Sequence, residues 1–222
     1  MKNIFGLVVF ASFSLSFNAY ATLIYTDRTT FQDRLDALII DDYSDPGYLV
    51  GDLDNAPTFH VHSNVHMSGI IGETRYTTTG FNFDVNIVSS LGTYCAGCNG
   101  SFLLDFTGTS VGDSSGVFGV GFDLQRNDFG IYSAFVQFGN GITQDFGLST
   151  IPYRGMPEFW GITSDSKISS IHISNGGLPS YSGSVIIDNL TIGNAATVPE
   201  PATLALVGIG LAGIGYMRRK TA

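Results

Sequence analysis

The chain has 222 residues, of which 44% are hydrophobic and 13% charged, and its formal net charge is −9. This length accommodates one domain with processing segments. The low charge and the 28 glycines favour short strands joined by tight turns over a helical enzyme. Four of the ten basic residues lie at the two ends, as Lys2, Arg218, Arg219 and Lys220. We therefore exclude nucleic acid as a partner, because binding to a phosphate backbone requires a concentrated basic face.

The N-terminus has the pattern of a secretory signal peptide. Lys2 precedes an apolar run over residues 4–17, and Ala19-Tyr20-Ala21 supplies the small residues of a cleavage site. We expect cleavage after Ala21, so that residues 1–21 are removed and the body, residues 22–193, folds outside the cytoplasm.

The body begins with a predicted strand, a helix of about ten residues and a second strand at residues 39–43. Thr29 and Gln32 form a capping-box pattern at the start of that helix. Its apolar face at helical spacing consists of Phe31, Leu35 and Leu38.

Apolar residues then alternate with polar residues and glycine at a period of two, as expected for strands. The alternation is clearest over residues 81–90 and 117–124, and residues 132–146 predict a hairpin with a Gly139-Asn140-Gly141 turn. Further strands are predicted over residues 59–65, 101–107, 158–164, 168–173 and 184–192. The predicted fold class is all-β, a two-sheet antiparallel β-sandwich of jelly-roll type with one short early helix.

The C-terminus predicts a membrane segment. Residues 202–217 are apolar, rich in small residues and free of charge, only slightly shorter than the about 20 residues that span a bilayer. The basic residues that follow would keep the end of the chain in the cytoplasm. An ordinary single-span anchor is one explanation of this segment.

The whole tail, however, resembles the sorting signal of PEP-CTERM proteins. Pro199-Glu200-Pro201 precedes the apolar segment, and Arg218 and Arg219 follow it. The resemblance covers residues 199–222, joined to the body by a linker at residues 194–198. It implies recognition by exosortase, a membrane processing enzyme, and the prolines would keep the recognised peptide extended.

The second half of the body is similar to the extracellular β-sandwiches of PEP-CTERM proteins, which resemble lectin-like and carbohydrate-binding jelly rolls. In such modules an Asp in a final-strand pattern like that around Asp188 often ligates Ca²⁺. At period two, Asp188 shares a face with Ile186, Leu190 and Ile192, where a carboxylate is costly unless it is paired or bound to a metal. A structural Ca²⁺ is one interpretation; a bulge, or a carboxylate bonded to loop amides, is the other.

Two histidines and two cysteines raise further hypotheses. His60 and His62 share a strand face and could hold a transition metal, with exposed histidines at a sheet edge as the alternative. Cys95 and Cys98 are the two cysteines of the chain, and a local disulfide is the expected state in an exported protein.

Aromatic residues near turns could stack on sugar rings, with core packing as the alternative. The candidates are Phe129, Tyr132, Tyr153, Trp160 and Tyr181. No nucleophile elbow or phosphate loop is present in the sequence, so we expect no catalysis and no required cofactor.

The sequence thus predicts an exported protein, held transiently in the inner membrane and then placed at the cell surface or in an exopolysaccharide matrix. Its partners would be exosortase and an exopolysaccharide, and its role structural or carbohydrate-binding. The alternative is a polysaccharide-cleaving enzyme, a hydrolase or lyase of jelly-roll type.

Overall fold

The computed structural model describes residues 21–48, 50–51, 73–79, 86–89, 91–97, 100–126, 131–148, 156–175 and 185–196. The predicted signal peptide, apart from Ala21, and the predicted C-terminal helix lie outside these residues. Within the described part of the chain, no helix is long and apolar enough to span a membrane.

The described residues form twelve strands and one short helix, and the all-β prediction is confirmed. In chain order they are β1 (Thr22–Tyr25), α1 (Arg28–Gln32), β2 (Leu35–Asp41), β3 (Val50–Gly51), β4 (Arg75–Thr78), β5 (Asn86–Ser89), β6 (Tyr94–Ala96), β7 (Phe102–Asp105), β8 (Val117–Arg126), β9 (Tyr132–Phe138), β10 (Thr143–Gly147), β11 (Glu158–Asn175) and β12 (Val185–Ala195).

Two sheets share the long strand β11. Its first half pairs with β1 and β8, and β8 continues to β12, which pairs with β2 and β6. Its second half pairs with β9 and β7, which continue to β10 and β4. Among the described strands every pairing is antiparallel except that of β3 with β5.

The main core lies between these two sheets. One side of it is formed by Val120, Phe122 and Leu124 of β8 with Ile187 and Ile192 of β12. The other side comes from the second sheet, with Phe102, Leu104, Val136, Ile171 and Ile173. Because alternate residues of each strand point inward, the period-two pattern of the sequence builds a two-layer β-sandwich.

The early helix is shorter than predicted and begins elsewhere. Asp27, not Thr29, is the N-cap residue, and its carboxylate accepts a hydrogen bond of 2.7 Å from the backbone N–H of Thr30. The helix ends at Gln32, and Leu35 and Leu38 belong to β2. The helical spacing of the apolar residues was therefore misleading, because tertiary packing places Leu35 and Phe31 in one cluster from two different elements.

That second cluster covers the outer face of the first sheet. The rings of Phe31 of α1 and Phe159 of β11 pack on glycines of this sheet. Two of these glycines, Gly121 of β8 and Gly161 of β11, are paired with each other. A Cβ at Gly121 would lie 2.6 Å from the Phe159 ring. The glycines are thus needed because the rings contact the sheet backbone.

Candidate functional site

A charged network lies on the outer face of the first sheet, next to the helix. Asp123 and Asp188 are opposite each other on β8 and β12. Arg28 of α1 approaches Asp123 with a distance of 2.5 Å between Nη2 and Oδ2, and its guanidinium lies 4.8 Å from the centre of the Phe159 ring. The helix therefore supplies the cation for two carboxylates that strand pairing brings together.

Asp188 does not share a face with Leu190 and Ile192, contrary to the prediction from period two. Asn189 has a φ of 51°, and the register of β12 against β8 shifts between Asp188 and Thr191. This bulge turns Asp188 away from the core that Leu190 and Ile192 join. The Asp188 carboxylate accepts a hydrogen bond of 2.6 Å from the backbone N–H of Asn189. The alternative interpretation, a bulge with a locally bonded carboxylate, is the one that the structure has.

Asp188 lies in an electrostatic network with Asp123 and Arg28. Burial raises the pKa of Asp188, whereas the Asn189 N–H lowers it, Asp123 raises it and Arg28 lowers it. Arg28 supplies positive charge next to these carboxylates. A Ca²⁺ ion would need six to eight oxygen ligands. In the described ranges no three His, Cys, Asp or Glu side chains are grouped so that they could hold a metal. The structural Ca²⁺ stays a prediction.

A buried carboxylate anchors the segment that follows β2. Asp41 is 5% exposed, and its Oδ2 accepts hydrogen bonds from the hydroxyls of Tyr48, at 2.5 Å, and Tyr76, at 2.9 Å. Its Oδ1 accepts a bond from the backbone N–H of Tyr43. Burial raises the pKa of Asp41, and the Tyr48 hydrogen bond lowers it. These bonds fix residues 42–48, which start at the end of β2, against the core.

This anchored segment forms one wall of an open cleft of about 410 Å³. Asp42 accepts bonds from the Ser44 N–H and hydroxyl, and Asp45 accepts one of 2.7 Å from the Gly47 N–H. The other wall is the β5–β6 turn, where Ser89, Leu91 and Gly92 line the cleft. A volume of this size lies within the range of small-ligand sites.

The two walls approach each other at Gly92. Its φ is 71°, and a Cβ there would lie 3.1 Å from the Asp42 carbonyl oxygen, so a side chain would be strained and crowded. Leu91 beside it is 85% exposed. The cleft therefore combines carboxylate, hydroxyl and backbone groups with an exposed apolar side chain at its rim.

The aromatic residues proposed for sugar stacking are not brought together. Tyr132 is 2% exposed and Trp160 is 7% exposed, and both belong to the main core. The expectation that these two rings are exposed is wrong, because β9 and β11 direct them between the two sheets. Phe129, Tyr153 and Tyr181 lie outside the described residues.

Among the other predicted site residues, Cys95 is buried and disulfide-bonded, while Cys98 lies outside the described residues. The pairing of the two stays a prediction. His60 and His62 also lie outside the described residues, as do Pro199, Glu200, Pro201, Arg218 and Arg219.

Sequence reasoning missed Asp41, Arg28 and the cleft. Asp41 stands at the end of an apolar strand and before two tyrosines, Tyr43 and Tyr48, and a carboxylate at that place was a usable signal. The cleft had no comparable signal, because its two walls come from segments about 45 residues apart that only the fold brings together.

The fold and its surface define an antiparallel β-sandwich protein with a ligand-sized cleft. The chain carries the PEP-CTERM protein-sorting motif at residues 197–220, which confirms the prediction made from the tail. This motif is that of an exported, surface-directed protein.

Solved structures that the chain resembles are family 29 carbohydrate-binding modules. A lysine-to-alanine mutant of CBM29-2 has a TM-score of 0.39 and 14% sequence identity, covering 75% of this chain and 99% of that one. An aspartate-to-alanine mutant of the same module has a TM-score of 0.32 and 17% identity over 60% of this chain and 95% of that one. A family 29 module has a TM-score of 0.31, with 17% identity over 60% and 98%. No curated protein matches the chain.

Proposed function

We propose that this chain is an exosortase substrate that works outside the cell as a non-catalytic protein of the cell surface or exopolysaccharide matrix. The sorting motif at residues 197–220 is the observation that carries this proposal. The apolar segment would hold the chain transiently in the inner membrane, and processing near Pro199, Glu200 and Pro201 would release or transfer the body.

C-terminal mass spectrometry of the mature protein tests the sorting step. The intact chain is expected to end near Pro199 to Pro201, and a variant with Arg218→Ala and Arg219→Ala is expected to keep its full C-terminus. Full-length protein ending at Ala222, recovered from the medium of the host with the intact tail, would contradict the proposal.

For the body we propose carbohydrate binding at the cleft between residues 42–48 and the β5–β6 turn. Sugars are bound by combining hydrogen bonds to their hydroxyls with apolar contacts to their ring faces. Asp42, Ser44 and Asp45 offer the first, and Leu91 and Pro46 the second. The main chain of this region is held by the buried Asp41 bonds, so little ordering would be required on binding.

The test of the cleft is the affinity of the mature protein for the host exopolysaccharide and for a glycan array. Leu91→Asp is expected to weaken binding about tenfold, equivalent to about 1.4 kcal/mol. Ile142→Asp is the matched control, because Ile142 is also exposed, at 61%, but precedes β10 in the other sheet. A matrix protein without a binding role would instead show no glycan affinity and would still produce a biofilm defect when deleted.

A polysaccharide-cleaving activity is the second candidate, and the described part of the cleft offers it little support. Glycoside hydrolases place two carboxyl groups on either side of the bond that they cleave. Asp42 and Asp45, the carboxylates that line the cleft, lie on the same wall. Release of reducing ends from the host polymer by the mature protein would overturn the non-catalytic assignment.

A further inference from the structure

One row of paired residues runs across the whole first sheet. Leu23 of β1 pairs with Thr163 of β11, which pairs with Gly119 of β8. Gly119 pairs with Gly193 of β12, which pairs with Leu38 of β2. These five residues lie at the same height in the sheet. The number of residues between any position and this row therefore gives its distance from the row along the strand direction.

Both ends of the described chain lie on the same side of this row. Ala21 is two residues from Leu23, and its carbonyl accepts a hydrogen bond of 3.2 Å from the Asp165 N–H. Ala196 is three residues from Gly193, and its N–H donates a bond of 2.9 Å to the Arg34 carbonyl. We call this end of the sandwich, marked by Ala21, Leu23, Leu38 and Ala196, the sorting pole.

The opposite end of the sheet is defined by a second row. Glu158 of β11 pairs with Leu124 of β8, which pairs with Ile187 of β12. Ile187 is nine residues from Ala196, a separation of about 30 Å along an extended strand. Met156, which is 83% exposed, lies two residues beyond Glu158. The cleft is intermediate, since Asp41 pairs with Leu190, about 20 Å from Ala196.

The sorting motif begins immediately after the sorting pole. It starts at residue 197, one residue beyond Ala196, and Pro199 and Pro201 are three and five residues beyond it. A fully extended chain would cover at most about 11 Å and 18 Å over these lengths. An enzyme that holds Pro199, Glu200 and Pro201 must therefore bind this peptide within about 11–18 Å of Ala196.

We propose that the sorting pole, and in particular its edge strands β1 and β2, is the surface of the body that docks against exosortase during processing. This inference rests on the proposed function and adds the face of the body that the enzyme meets. The cleft, at the level of the Asp41–Leu190 pair, would then lie about 20 Å from Ala196 while the chain is still attached.

The composition of the two edge strands agrees with a docked surface. Of the eight large apolar side chains that are exposed in the described part of the chain, four lie on β1 and β2: Leu23, Ile24, Leu38 and Ile40. Each of these strands has a described partner on one edge, β11 for β1 and β12 for β2. Leu23 and Leu38, on the row nearer to Ala196, therefore present exposed apolar side chains to a docked enzyme at both edges of the sheet.

Photo-crosslinking in the full-length chain tests this orientation. Benzoylphenylalanine is placed at Leu23, at Leu38 or, as the matched control, at Met156, in cells that carry an epitope-tagged exosortase. Adducts with the tagged enzyme are expected from Leu23 and Leu38 and not from Met156. A 20-residue Gly-Ser spacer between Ala196 and Thr197, with a mean span of about 25 Å, is expected to remove both adducts while processing continues.

Three results would overturn the docking proposal when the tail is still processed normally. They are an equal adduct from Met156, adducts of Leu23 and Leu38 with lipid only, and no adduct at any position. C-terminal mass spectrometry on the same cells separates these results from failure of sorting itself, because an unprocessed tail ending at Ala222 would contradict the proposed function as well.

Discussion

The missing side chain of Gly121 allows the rings of Phe159 and Phe31 to pack directly on the first sheet. A Cβ at this position would lie 2.6 Å from Cζ of Phe159 and 3.0 Å from Cε1 of Phe31. We expect Gly121→Ala to destabilise the mature protein by about 1–3 kcal/mol, because overpacking forces the rings or the strand to move. Urea denaturation measures the change. Gly108→Ala is the control, since a Cβ there meets no atom within 4 Å. An equal decrease in the free energy of unfolding in both variants would show that contact with the rings is not the cause.

Tyr48 donates one of the hydrogen bonds that stabilise the buried Asp41 carboxylate. Removing this bond in Tyr48→Phe is expected to cost about 1.5–3 kcal/mol of unfolding free energy at pH 7, as for other hydrogen bonds to charged groups. Burial raises the pKa of Asp41 above its ordinary value of 3.8, so this carboxyl favours the folded state below pH 3.8. That contribution is lost as the pH rises through the folded-state pKa.

Loss of the Tyr48 hydroxyl removes a group that lowers the pKa of Asp41. The cost of Tyr48→Phe should therefore be smaller at pH 3 than at pH 7, when unfolding is followed by urea at both values. Tyr25→Phe is the matched control, because the Tyr25 hydroxyl is bonded to the neutral Thr163 hydroxyl, at 3.1 Å. A pH-independent cost at Tyr48 would show that Asp41 is not the charged partner.

At the scale of elements, β11 changes sheets at a single strained residue. Lys167 has a φ of 57°, and the pairing of β11 with β9 shifts register between Ile168 and Ser170. A left-handed conformation costs a residue with a Cβ about 1–2 kcal/mol. We expect Lys167→Val to be less stable than Lys167→Gly by at least that amount in thermal unfolding. Both variants lose the ion pair with Asp113, so equal stabilities would contradict the conformational explanation.

The elements also differ in how far the sequence could predict them. The hairpin of β9 and β10 was predictable, because two strand-like runs flank a turn with two glycines. The predicted helix was too long, because the four-residue spacing of Phe31 and Leu35 fits one face of a helix although Leu35 lies in β2. Period two did not locate the bulge at Asn189, which the sequence offered only as an alternative. This bulge turns Asp188 away from the core and places it near Arg28 and Asp123. The cleft depends on long-range pairing, which local patterns do not report.

At the scale of the whole molecule, the two chain ends are close enough to be joined. Thr22 begins β1 and Ala196 follows Ala195, the last residue of β12, and these strands are three places apart in the first sheet, which corresponds to about 14 Å. A six-residue Gly-Ser linker covers up to about 20 Å. A circular permutant that joins residue 196 to residue 22 and opens between Asn140 and Gly141 should therefore fold, because this turn is exposed.

Circular dichroism and urea denaturation compare this permutant with the native body. A second permutant with the same linker, opened between Val120 and Gly121, is the control and is expected not to fold, because both residues lie in the centre of β8 and are buried. Folding of the first permutant and not the second would support the placement of both chain ends at the sorting pole. If the first permutant failed to fold although its linker covers the predicted gap, the two ends would lie farther apart than the strand pairing from Leu23 to Leu38 predicts.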